Sequence, residues 1–329
     1  MLAAFVVGAG ALTGCSVPDA TLPGPVPTTA SPRTPSASAG ADPADLASRA
    51  RTALAAIAAA AGSDAVGSLA VRPGTAEAII VKGSSAERWS VVKGSPVLSL
   101  AIAHSTEWSS APAASFPVDA VAQLRPALAE CPTDYVARVQ VLPSRGTVAT
   151  LECGGGENNP VVAQVLGGVR LGALRDRFAP DTLAEVFREA AAVAPIGQVR
   201  SIDLAGAAGD KTPSVAIGLP GYDAGGYRCA PATWTRPLAA GDRGFVVGAP
   251  CSATTDPPAA EQLLAPSTLD PASVVKAIEE AKSQLGSDLS GASSVRLTMT
   301  GNGVVLQADD TTGAAPGSAY VRVVPLTTG

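Results

Sequence analysis

Apolar residues recur along this chain with two periods. Leu46, Ala50, Ala53, Ile57 and Ala61 follow one another at three or four residues, which lays them on one face of a helix. Asp42 and Pro43 precede the run and Gly62 follows it, the residue types that open and close helices. Residues 270–286 repeat the plan, with Asp270 as cap, Pro271 at the first position and Gly286 past the end. Their apolar face is Val274, Val275, Ile278, Ala281 and Leu285. A further helix is predicted from Pro180, with Leu183, Val186, Phe187, Ala190 and Ala194 on one face, Thr182 and Glu185 as a capping box, and Pro195 as its end. Another is predicted from Pro117, with Val118, Val121, Leu124 and Leu128 on one face and Pro126 kinking or shortening it.

After each helix the period drops to two, the mark of half-buried strands. Leu69/Val71, Ala78/Ile80 and Trp89/Val91 follow the first helix. Residues 135–142 and 147–151 follow the one from Pro117, and residues 199–204 and 215–219 follow the one from Pro180. Val295/Leu297/Met299, Val304/Leu306 and Tyr320/Arg322/Val324 follow the last. Asp42 to Leu69 and Asp270 to Leu297 are the same distance, 27 residues. The pattern predicts an α+β fold of one helix plus an antiparallel β-meander, repeated from near residues 42, 116, 179 and 270. Taken in pairs, the units predict two domains, 42–168 and 169–329. Ser144-Arg145-Gly146 and Asp242-Arg243-Gly244 each place an Arg eight residues before a Cys, and read as two alike hairpins.

The first fifteen residues carry no charge, and their apolar stretch is shorter than the ~20 residues a membrane-spanning helix needs. The stretch fits a signal-peptide core over residues 1–14. It ends in Leu12-Thr13-Gly14-Cys15, which resembles the bacterial lipobox. Residues 16–41 hold six Pro among many Ser, Thr and Ala, a tether that cannot build a core. Together residues 1–41 resemble the start of an actinobacterial-type envelope lipoprotein; the body, 42–329, resembles no family we know. The resemblance implies cleavage before Cys15 and acylation of Cys15. It implies a tether over 15–41 and an address on the extracytoplasmic face of the cell membrane.

Four cysteines remain: Cys131, Cys153, Cys229 and Cys251. An even number in an exported chain points to disulfides. Four cysteines allow three connectivities, and proximity favours Cys131–Cys153 and Cys229–Cys251. A four-thiolate zinc site normally brings its ligands in close pairs, and none is present. We therefore expect disulfide staples and neither metal nor cofactor.

Composition narrows the function classes. Apolar residues make up 47 %, enough for real cores, yet aromatics only 4 %, so Ala, Val and Leu must build them. With a net charge of −5 and no Lys/Arg cluster, the chain is not expected to bind nucleic acid. Arg outnumbers Lys 18 to 5, a bias of GC-rich genomes. His104 is the single histidine, which removes most His-based catalysis and His-ligated metal.

Few motifs carry chemistry. Ser90/Lys93 and Ser273/Lys276 have the Ser-x-x-Lys spacing that can set a lysine beside a serine nucleophile on a helix. Lys211-Thr212-Pro213 is not the Lys-Thr-Gly that should accompany it, and Ser90 falls in a strand, where i and i+3 face opposite ways. The plain reading is an exposed lysine and an early-helix serine. His104 reads as a surface or loop residue. Residues 154–159 read as a turn after Cys153, since the Lys of a phosphate loop is missing. Asp309-Asp310 lacks the rest of a calcium loop. Trp89, Trp108, Trp234, Tyr222 and Tyr227 read as core filling before ligand lining. The expectation is a non-catalytic lipid-anchored protein that presents α+β domains to an envelope partner. The alternative is a carrier of lipid or another apolar ligand, and a more distant one a Ser/Lys hydrolase.

Overall fold

The computed structural model describes residues 45–325, apart from 84, 103–108, 132–133, 143–145, 155–159, 173, 175, 195–196, 208–211, 225–226, 230, 239–243, 248–250, 253–260 and 311–317. The lipobox, Cys15 and the tether thus lie outside the described residues, as do Asp42 and Pro43. Residues 40–329 gather into one compact unit.

Helix α1 (Asp45–Ala61) forms on the expected spacing, burying Leu46, Ala50, Leu54 and Ile57. Helix α3 (Pro271–Leu285) shows both boundary signals at work. Asp270 accepts from the Ala272 and Ser273 backbone N–H groups, and Gly286 takes the left-handed conformation (φ 61°) that closes the last turn. Helix α2 (Pro180–Val193) starts where expected but without the capping box. Pro180 fixes the helix start, so Ala179 is the cap and Thr182 is already inside the first turn. Glu185 instead accepts from the Gly172 N–H at 3.2 Å and pairs with Arg188.

The segment from Pro117 corrects a second expectation. It is a 3₁₀-helix, Val118–Glu130, and Pro126 sits inside it without ending it. Three residues per turn put every third side chain on one face. Val118, Val121, Leu124 and Ala127 are accordingly buried, and Leu128, expected from the 3.6 period, is only partly so.

The first sheet is nine-stranded and antiparallel. Its strands are β1 (Ala65–Arg72), β2 (Thr75–Lys82), β3 (Ser85–Val92), β4 (Ser95–Ile102), β5 (Ala111–Pro112), β6 (Tyr135–Val141), β7 (Thr147–Cys153), β8 (Val161–Leu166) and β9 (Val169–Arg170). The order is β4-β3-β2-β1-β6-β7-β8-β9, with β5 paired to the start of β1. The β3–β4 turn holds Lys93 (φ 51°) and Gly94 (φ 83°), the two positive φ angles of a tight hairpin.

The second sheet contains β10 (Ser201–Ala205), β11 (Ser214–Gly218), β14 (Thr233–Pro237), β15 (Phe245–Val247), β17 (Ser294–Thr300), β18 (Gly303–Asp310) and β19 (Ser318–Val324). Its order is β15-β14-β11-β10-β17-β18-β19. A small third sheet joins β12 (Tyr222–Ala224), β13 (Tyr227–Cys229) and β16 (Cys251–Ser252). In both large sheets the first strands of two successive meanders pair with each other, β1 with β6 and β10 with β17.

Each of the two large sheets carries a pair of helices on one face. Helix α1 covers β1–β4, and the 3₁₀-helix lies beside it over β6–β8. Helix α3 covers β18 and β19, with α2 beside it. Leu54, Ile57 and Leu69 share one apolar core, and Ile278 and Leu297 another. The second core also takes in Leu142, Val148 and Leu166, which lie on the opposite face of the first sheet from the 3₁₀-helix. Helix α2 reaches that face, where a Cβ on Gly167 would stand 3.3 Å from the Ala192 Cβ. The first sheet is therefore covered on both faces at its β7–β9 end.

Ser144-Arg145 and Asp242-Arg243 lie outside the described residues; the strands that flank them pair antiparallel, β6 with β7 and β14 with β15. Gly146 accepts from the Leu142 N–H within the β6–β7 hairpin. Gly244 is instead held by a side chain of the other sheet.

Candidate functional site

Neither Ser-x-x-Lys pair assembles a nucleophile. The Ser90 hydroxyl is 2.7 Å from the Ser99 hydroxyl on the next strand, and Lys93 lies in the exposed β3–β4 turn. The Ser273 hydroxyl donates to Asp270 Oδ2 at 2.7 Å, completing the α3 cap, and Lys276 is exposed. That cap holds the Asp270 carboxyl below its usual range, first through the Ser273 hydroxyl and then through the backbone N–H groups. His104, Trp108 and residues 155–159 lie outside the described residues. Gln307 Nε2 donates to both Asp309 carboxylate oxygens, at 3.2 and 3.1 Å. Asp310 is buried at the end of β18. Among the described residues no group of three or more His, Cys, Asp or Glu could hold a metal. No helix among them is long and apolar enough to cross a membrane.

Cys131 and Cys153 form a disulfide, with Cα atoms 5.0 Å apart, tying the end of the 3₁₀-helix to the end of β7. In the small third sheet Cys229 stands directly opposite Cys251.

Two tryptophans serve the interior. Trp89 packs on the first core, and its indole N–H donates to Glu87 Oε2 at 2.8 Å. Lys82 and Trp89 together hold the Glu87 carboxyl below its usual range. Trp234 is completely buried in the second core. Its indole N–H donates to Glu189 Oε1 at 2.5 Å, and Arg236 Nη1 donates to Glu189 Oε2 at 2.6 Å. Arg236 also donates to the Gly172 carbonyl. Burial pushes the Glu189 carboxyl up, and Arg236 and Trp234 pull it back. The polar tips of Tyr222 and Tyr227 are not described; their backbones lie in β12 and β13.

Arg177 makes a second buried knot. It donates to the carbonyls of Leu289 and Ser293 and to the Ser293 hydroxyl, joining the approach to α2 to the approach to β17. Burial lowers its pKa, against the attraction of Asp176 and Asp288. These clusters join elements distant in sequence, and every polar atom named in them faces a protein partner.

The surface offers three features. The first is the free edge of the first sheet. Val92 (52 % exposed), Val97 (47 %), Leu98 (46 %) and Leu100 (50 %) account for four of the six exposed large apolar residues among those described. Among the described residues strand β4 has β3 on one side only, and it carries no charged residue. Natural sheet edges are usually protected by lysines, inward charges or coverage. Val321 and Val323 show a smaller version of the feature on β19, the edge of the second sheet.

The second feature is a groove of about 320 Å³ between α1 and the β1–β2 and β3–β4 turns. Ala53, Ala56, Val71, Ala76 and Val91 line it, and Arg49 stands among them, donating to the Arg72 carbonyl at 2.6 Å. The third is a polar depression of about 220 Å³ on the other face of the same sheet, with Arg72, Glu77, Arg88 and Arg138 in its lining.

Sequence reasoning singled out none of these three. An eight-residue run without charge, Ser95–Ile102, was a visible signal for β4. The arginines lie on three strands, and only the register brings them together.

No family model and no curated protein matches this chain. Among solved structures it is similar to a DNA polymerase sliding clamp from Pseudomonas aeruginosa, at 10 % identity and a TM-score of 0.13, covering 87 % of this chain and 63 % of that one. It is also similar to a putative DNA polymerase III beta subunit from Eubacterium rectale, at 8 % identity and a TM-score of 0.14, covering 86 % and 63 %. The matched part thus spans less than two thirds of those chains, and likenesses at such TM-scores carry no argument about what this chain does.

Proposed function

We propose that the chain is a non-catalytic, lipid-anchored envelope protein that binds a protein partner through the free edge of its first sheet. The observation that carries this reading is β4, uncharged, paired on one side only among the described residues, and rich in exposed apolar side chains. An edge of this kind accepts another extended segment by strand addition, with backbone hydrogen bonds for affinity and apolar side chains for specificity. Its address rests on the lipobox resemblance: acylated Cys15 holds the chain in the membrane, and the tether carries the body away from it.

We read the body as two domains, 42–168 and 169–329, each a pair of helix-plus-meander units. The supporting feature is the pairing of first strands, β1 with β6 and β10 with β17, each with helices on one face.

The groove under α1 favours a second reading, a carrier of an apolar ligand, because its volume is that of a small-molecule site.

Photo-crosslinkers at Val97 and, separately, at Ala53 in the membrane-anchored protein distinguish the two. A protein adduct at Val97 that disappears in Leu98→Lys/Leu100→Lys supports strand addition. A lipid adduct at Ala53 with none at Val97 supports the carrier. Cys15→Ala tests the address. It should release the protein from membranes or leave it unprocessed, and unchanged fractionation and trimming refute the lipobox reading.

A further inference from the structure

The face of the first sheet away from α1 is hollow at β1. There β1 presents Ser68 and Ala70, both short and both buried. Long side chains surround them. Glu77 on β2 is opposite Ala70 on one side, and Arg138 on β6 is opposite it on the other. Gln140 on β6 is opposite Ser68, and Arg88 on β3 is opposite Ile79. Arg72 continues the β1 row. Short residues ringed by long ones leave the depression of about 220 Å³.

Its charge is unusual for this molecule. Three guanidiniums and one carboxylate give it a net positive lining in a chain of net charge −5. Arg72 Nε is buried and has no hydrogen-bond partner among the described residues. Arg88 is exposed and makes no ion pair with them. A buried donor without an acceptor is a standing cost that an arriving oxygen relieves.

We propose that this depression binds an oxyanion carried on a hydroxylated ligand, with a polyol phosphate ester as the chemical class. Guanidiniums match phosphate oxygens through paired N–H donors and keep their charge at every physiological pH. Glu77 supplies the other half of the selectivity. It repels a bare anion, and it accepts from a ligand hydroxyl set beside the phosphate. Gln140 and Ser68 add neutral polar contacts. A volume near 220 Å³ suits a headgroup-sized ligand. Such a group arrives either free or as the headgroup of a phosphoglycerol lipid.

The test titrates glycerol 3-phosphate, and methyl phosphate as the probe without hydroxyls, into the full chain produced without acylation. Saturable binding of glycerol 3-phosphate is expected, about tenfold weaker in Arg88→Gln, as befits the loss of one charged hydrogen bond. Glu77→Gln should abolish the preference for glycerol 3-phosphate over methyl phosphate. Arg88 is exposed on its strand, so its variant keeps the fold, and an unchanged thermal midpoint checks this. Co-flotation with phosphatidylglycerol vesicles but not phosphatidylcholine vesicles, lost in Arg88→Gln, assigns the group to a lipid headgroup. Binding of soluble ester without vesicle binding assigns it to a free ligand. Absence of saturable binding to both the ester and the vesicles, or binding unchanged in both Arg88→Gln and Arg72→Gln, overturns the proposal.

Discussion

Gln164 grips Gly244 by both backbone groups. Its Nε2 donates to the Gly244 carbonyl at 3.0 Å, and its Oε1 accepts from the Gly244 N–H at 2.9 Å. The two residues are 80 apart in the chain, one on β8 of the first sheet and the other just before β15 of the second. Gly244 lies so close to Trp234 that a Cβ there would stand 2.2 Å from the ring. One side-chain amide and one missing Cβ thereby join the two large sheets over the buried indole.

Replacing Gln164 with Leu should destabilise the protein by roughly 2–4 kcal/mol, because it leaves a buried N–H and a buried carbonyl unpaired. Gly244→Ala should cost roughly 1–3 kcal/mol through collision with Trp234. Urea denaturation of both variants and of the double variant checks this. The double variant should lose less than the sum, since both changes break one contact. Strict additivity would refute the coupling.

Arg236→Met should cost roughly 3–5 kcal/mol at neutral pH, because it strands the Glu189 carboxylate in the core. The pH dependence has a defined sign. Burial raises the folded-state pKa of Glu189. The stability linked to that group is therefore present below the unfolded value of about 4.3 and is lost as pH rises through the raised folded pKa. Without Arg236 to pull it back, the folded pKa rises further. The denaturation midpoint of Arg236→Met should fall with rising pH more steeply than that of the wild type. Parallel pH profiles would contradict this account.

Asp270 gives the opposite sign. Its folded pKa is lowered, first by the Ser273 hydroxyl. Its contribution is present above the unfolded carboxylate pKa and is lost as pH falls through the folded value. In carbon-detected NMR titration Asp270 should titrate below an ordinary aspartate, and Ser273→Ala should move it back up. An unshifted Asp270 in the wild type refutes the cap.

Non-reducing peptide mapping should give Cys131–Cys153 and Cys229–Cys251. For the second pair the expectation rests on register, since directly opposed residues of antiparallel strands have Cα atoms about 4.5–5.5 Å apart, within disulfide range. Any cross-pair overturns the assignment. Removing Cys131–Cys153 should cost about 3 kcal/mol by the loop-closure argument.

Ile57→Asp and Ile278→Asp each put an unpaired charge into a closed apolar layer, since both positions are fully buried. Each should cost several kcal/mol, and a mild effect at either would mean its helix is not docked as described.

The sequence by itself determined the local structure wherever a local cause sufficed. Asp270, Pro271 and Gly286 bounded α3 because caps, a fixed φ and a left-handed terminus act within one turn. The alternation at Leu69/Val71 and Leu297/Met299 selected the inward faces, because side chains on a strand alternate without help from its neighbours. It also selected an α+β class and the Cys131–Cys153 pair. The choice between 3.6 and 3.0 residues per turn at Val118–Glu130 was made by tertiary packing. Both periods fit Val118, Val121 and Leu124, and the difference is settled by which of Ala127 and Leu128 meets the sheet. Thr182 and Glu185 had the spacing of a capping box, yet a proline two residues earlier had already set the helix start. The groups that join distant elements, Gln164 with Gly244 between the two large sheets and Glu189 with Trp234 and Arg236 between α2 and β14, carry no local signal. Their partners lie 80, 45 and 47 residues away. The candidate sites belong to the same class. An edge strand is an edge only once the strand order is known, and three arginines on three strands form one depression only when register aligns them around Ser68 and Ala70. Local sequence fixes periods and ends; long-range pairing, which depends on every strand at once, decides what is left uncovered.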